Sequence, residues 1–72
     1  MKYTITSNIE DNSMSVEVDN DSGKLIMMIK RFDKTGKMVM SSYENEIDVA
    51  IVTKAIDMAI KRLNPINDVP NI

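Results

Sequence analysis

Seventy-two residues make one small domain, and a chain of this length buries only about 60% of the surface its unfolded form exposes. It contains neither cysteine nor histidine, so it has no disulfide to lean on and lacks the side chain that most often serves as acid or base near neutral pH. Nine basic against eleven acidic residues give a net charge of −2, whereas a dedicated nucleic-acid or anionic-membrane binder carries a strong basic excess.

In chain order, Met1 to Ile9 alternates, with Tyr3, Ile5 and Ile9 on one side and Lys2, Thr4 and Thr6 on the other. Strand side chains point to opposite faces in turn, and β-branched residues favour the pleated surface, so this reads as a first strand. Glu10-Asp11-Asn12-Ser13 is a polar turn. Met14, Val16 and Val18 then alternate with Ser15, Glu17 and Asp19, a second strand whose wet face predicts a position toward a sheet edge. Asp19 to Gly23 begins like a calcium loop, but Lys24 and Lys30 stand where such a loop needs glycine and a bidentate acid. It reads as an ordinary β-turn, with glycine where the chain needs positive φ.

The stretch Lys24 to Tyr43 organises the rest. Leu25, Met27 and Ile29 share one face of the third strand and Ile26, Met28 and Phe32 the other, so both faces are apolar. Asp33-Lys34-Thr35-Gly36 turns the chain into a fourth strand, with Met38 and Met40 on one face and Val39 and Tyr43 on the other. From Asn45 the period changes to that of a helix. Asn45 is the expected cap, with Asp48 three residues on in the capping-box place and Glu46 near the positive end of the dipole. Val49, Val52, Ile56, Ala59, Ile60 and Leu63 form the expected packing stripe, and Ile47, Ile51 and Met58 extend it. Asn64-Pro65 stops the helix, and residues 65–72 read as an extended or disordered tail. The expected fold is α+β: a four-stranded antiparallel β-meander with one C-terminal helix packed on one face, over residues 1–64.

With no disulfide or histidine-bearing metal site to help so short a chain, oligomerisation is the remaining aid to stability. One helix covers only one of the two apolar faces of the third and fourth strands. The expected role is therefore a non-catalytic protein-binding module, a homodimer burying either the second sheet face (Ile26, Met28, Phe32, Val39, Tyr43) or the excess helix arc (Ile47, Ile51, Met58). No catalytic residue, cofactor or metal is expected. Lys30, Arg31, Lys34 and Lys37 read as a solvated hairpin interrupted by Asp33, so nucleic-acid binding is not expected. Glu44, Glu46 and Asp48 compensate the helix dipole or, in a sharper reading, present an anionic surface to a basic partner. The apolar runs Leu25 to Ile29 and Val49 to Val52 are too short to span a bilayer. Absence of cysteine and of a signal-peptide pattern after Met1 points to the cytoplasm.

Tyr3-Thr4-Ile5, the apolar Leu25-Ile26, then Gly36, Val39, Ser41 and Glu44-Asn45-Glu46 leading into a helix resemble small phage-encoded anti-CRISPR proteins, which inhibit RNA-guided nucleases. The resemblance spans roughly residues 3 to 60. It implies a phage or mobile-element setting and an alternative role: inhibition of a host nuclease or other nucleic-acid enzyme through an acidic surface, with Glu44, Glu46 and Asp48 the matching acids. The chain departs from that pattern in its extra hairpin, its small net charge and its lack of a strongly acidic helical C-terminal portion.

Overall fold

Four strands and one helix account for the alternating and helical periods: β1 (Lys2–Asn8), β2 (Ser13–Asp19), β3 (Leu25–Phe32), β4 (Met38–Ser42) and α1 (Val49–Arg62). The computed structural model describes residues 1–63, so the expected helix stop at Asn64-Pro65 and the tail 65–72 lie outside the described residues. The strands form one antiparallel sheet in the order β1-β2-β3-β4 with α1 on one face, the α+β meander that the pattern predicts. Consecutive strands pair because each connection is a short turn with its own local chemistry. Asn20 Oδ1 accepts from the backbone N–H groups of Ser22 and Lys24 at 3.0 Å each, and Gly23 takes φ +88°. Gly36 takes φ +74° in the β3–β4 turn, where its N–H donates to the Phe32 carbonyl.

The register sorts the side chains. Opposite Val16 lie Ile5 on one side and Ile29 on the other, while Val18 lies between Tyr3 and Met27. This row faces α1, and Val16, Val18, Met27, Ile29, Ala55, Ala59 and Leu63 are buried together. On the opposite face, Thr6, Ser15, Lys30 and Val39 form one row and Thr4, Glu17, Met28 and Ser41 the next.

Simple alternation would put Ile26 on the far face with Met28. Instead the β2–β3 ladder slips between Val18 and Asp19: Val18 pairs with Met27 but Asp19 with Leu25, leaving Ile26 as the extra residue of a β-bulge. Ile26 is accordingly only 5% exposed and belongs to the helix-side core. β2 is an interior strand, not one toward an edge. Its wet face is closed by neighbours, since Ser15 is flanked by Thr6 and Lys30, and Ser13 Oγ donates to Asp11 Oδ1 at 2.6 Å. Ile9, expected to share a face with Tyr3 and Ile5, lies in the β1–β2 turn and is exposed.

The helix also starts later than expected. Asp48 is the N-cap, its Oδ1 accepting from the Ala50 N–H at 2.8 Å, and Asn45 lies outside. With the cap at 48, Ile47 and Val52 fall at the two positions of a hydrophobic staple, and both are partly buried against the core. Lys61 and Arg62 stand in the last turn, where cations suit the negative dipole end. The face turned to the sheet is set by Ala55, Ala59 and Leu63 rather than by the larger Val49, Ile56 and Ile60. Two alanines one turn apart let the backbone approach the sheet closely, and the bulky side chains are displaced to the flanks.

Candidate interaction surface

The position of α1 decides what remains uncovered. It packs on β2 and β3, and β4 extends past it. The flank toward β1 is closed: Lys54 Nζ lies 4.5 Å from the centroid of the Tyr3 ring, and Ile51 and Met58 are partly buried against the core. Among the described residues, the flank toward β4 is open. There Ile56 and Ile60 are 44% and 59% exposed, and Met40 on the neighbouring strand is 55% exposed. Between them runs an apolar groove of about 330 Å³, floored by Ile29, Met38 and Met40 and walled by Ile56, Ala59 and Ile60. Methionine side chains adapt their shape to what they meet, which suits a surface that closes on a partner.

The residues singled out from sequence are dispersed. Met28, Phe32 and Val39 lie half-buried on the helix-free face, interleaved with Ser15, Glu17, Lys30 and Ser41. That face is therefore mixed rather than apolar, and Lys30 Nζ lies 5.7 Å from the Phe32 ring centroid. A shallow depression of about 610 Å³ on it, bordered by Thr6, Ser15, Glu17, Met28 and Lys30, is mixed in lining chemistry. Ile26 is in the core, and Tyr43 is exposed just past the end of β4. Of the acids, Glu44 pairs with Lys24 at 2.9 Å, Asp48 caps the helix, and Glu46 is exposed. Half of the basic hairpin is likewise engaged internally, Lys30 meeting Asp11 at 3.0 Å and Arg31 meeting Asp33 at 3.6 Å, while Lys34 and Lys37 are exposed.

Met38, Met40, Ile56 and Ile60 are the surface residues that pattern reading assigned elsewhere. Ile56 and Ile60 stood in the expected packing stripe, while Ile47, Ile51 and Met58 stood as the excess arc; the structure exchanges the two sets. Ala55 and Ala59, four residues apart, carried the signal, because small residues mark where a helix makes its closest approach. No helix among the described residues is long and apolar enough to cross a membrane. No family model, curated protein or solved structure matches this chain.

Proposed function

We propose that this chain is a non-catalytic, cytoplasmic protein–protein interaction module that works as a homodimer, closing the groove between β4 and α1. The observation that carries this reading is the contrast across one helix: one flank is closed, while the other leaves Met40, Ile56 and Ile60 exposed around an apolar groove. A chain of 72 residues without cysteine gains stability by burying such a surface against another molecule. Lack of histidine and cysteine supports a role without catalysis. The inhibitor reading implied by the anti-CRISPR resemblance has less to draw on, because Glu44 is paired with Lys24 and Asp48 caps the helix.

Light scattering over a range of concentrations tests the reading. The expected mass is twice that of the chain, and Met40→Asp combined with Ile60→Asp is expected to return a monomer with unchanged circular dichroism. Met28→Asp with Phe32→Asp, on the other face, is expected to leave the dimer in place. A wild-type chain that is monomeric at every concentration overturns the proposal.

A further inference from the structure

We propose that the second copy joins along the open edge of β4, strand to strand and antiparallel, about a two-fold axis at Met40. This rests on the self-association reading above and specifies its geometry.

The backbone of β4 supplies the first argument. The Phe32 N–H donates to the Lys37 carbonyl and the Tyr43 N–H to the Ile26 carbonyl. In an antiparallel ladder, alternate residues turn both backbone groups to the same neighbour. Val39 and Ser41, in phase with Lys37 and Tyr43, therefore face β3, and Met38, Met40 and Ser42 turn their N–H and C=O groups to the open edge. A two-fold axis at Met40 sets Met40 against Met40 of the second copy, and Met38 against Ser42 twice. Those are three pairs, each exchanging two hydrogen bonds, and they use every outward-facing residue of the strand.

The side chains supply the second. Natural edge strands are guarded against such pairing by lysine, proline, bulges or a covering element. β4 reads Met-Val-Met-Ser-Ser, with neither charge nor proline, and its ladder with β3 runs without a bulge. The opposite edge, β1, carries Lys2 and has Lys54 folded over Tyr3. The same Met38 and Met40 that offer their backbone at the β4 edge also floor the apolar groove, so one docking event uses both.

Size supplies the third. A stable dimer buries about 800 Å² per partner, roughly a sixth of the 4839 Å² surface of this chain. Five paired residues fall short of that, so the groove must be part of the interface. With α1 seated over β2 and β3 and strands about 4.8 Å apart, the two-fold axis places the two helices about 19 Å from each other. Helices in contact lie at about 8–10 Å, so the two grooves merge into one trough floored by methionines and walled by Ile56 and Ile60.

The absence of cysteine makes the test clean. Residues in a hydrogen-bonded antiparallel pair have Cα atoms about 5.5 Å apart, inside the roughly 4.4–6.8 Å range of a disulfide. Under mild oxidation, Met40→Cys is expected to convert nearly all of the protein to covalent dimer, whereas Ile60→Cys, on helices about 19 Å apart, is expected to give essentially none. Met40→Pro is expected to give a folded monomer, because it deletes only an outward-facing N–H and leaves the ladder to β3 intact. A dimer that crosslinks through residue 60 and not through residue 40 overturns edge pairing in favour of helix-to-helix docking. A monomeric wild type overturns the self-association reading itself, so the two failures are told apart.

Discussion

The two flanks of α1 are built from the same kinds of residue and end in opposite states. Toward β1, Ile51 and Met58 are partly buried and Lys54 closes over Tyr3; toward β4, Ile56 and Ile60 stand open. Hydrophobicity does not distinguish them. Nor does the helix axis, which Ala55 and Ala59 seat against Met27 and its neighbours over the middle of the sheet; the difference is what each flank meets on the outer strand. A helix seated over the two central strands leaves both outer strands to be covered by other means: on β1 Lys54 closes over Tyr3, while Met40 on β4 stays exposed, and that exposed side is the part of the fold that a partner can complete.

The largest expected effect breaks the closed side. Met27 is fully buried beneath the helix, and truncating a buried methionine to alanine costs about 2–5 kcal/mol. For a domain of this size that is a large fraction of total stability. Met40→Ala, on the open side, is expected to change the folding stability of the isolated chain by less than about 0.5 kcal/mol. Urea unfolding of the two variants, at a protein concentration below that of self-association, measures the contrast. Similar losses at both positions would mean that β4 is covered after all.

Next in size is the seat of the helix. Ala55→Leu forces a large side chain into a fully buried position and is expected to cost about 1–3 kcal/mol. Thr53→Leu, two residues away and exposed, is expected to stay within about 0.5 kcal/mol. Equal tolerance of both would place the close approach elsewhere on the helix.

How far the sequence reveals this arrangement depends on which physical rule governs each part. Strand number, order and turns were legible, because period-two alternation and glycines at Gly23 and Gly36 are local signals that the sheet obeys. Ile26 was not legible. A bulge inserts one residue into the count, and nothing in Leu25-Ile26-Met27-Met28 distinguishes the bulged strand from an ideal one. The helix face was legible in part, since Val52, Ala59 and Leu63 of the expected stripe do pack on the core; the rest fails for a different reason, because ranking side chains by hydrophobicity favours Ile56 and Ile60, while packing favours the residues small enough to let two backbones approach. The interaction surface inherits that error, since it is what the true seat leaves over.

The helix start gives a smaller test of the same point. Because Asp48, not Asn45, accepts from the Ala50 N–H, Asp48→Ala is expected to cost about 1 kcal/mol. Asn45→Ala is expected to cost less than about 0.5 kcal/mol. Thermal melts of the two variants decide between the caps, and the reverse ranking would move the helix start back to Asn45, turning Ile47 into the first turn.

The smallest expected effect extends the comparison to the face that has no helix. There, closure comes from charge and hydrogen bonding: Asp11 receives the Ser13 hydroxyl at 2.6 Å and Lys30 Nζ at 3.0 Å. These partners, the serine bond first and then the lysine, hold the Asp11 carboxyl below its ordinary value of 3.8. A carboxyl whose pKa is lowered on folding adds stability above its unfolded value and loses it as pH falls through the folded one. The contribution is thus present at neutral pH and fades below about pH 4. Asp11 is exposed, so solvent and salt screen it and the effect is small. Asp11→Asn is expected to lower the thermal midpoint slightly at pH 7, with the gap to wild type closing as pH is lowered toward 2. A gap that stays constant across that range would mean that the Asp11 charge adds nothing, and that Ser13 and Ser15 are shielded by packing alone.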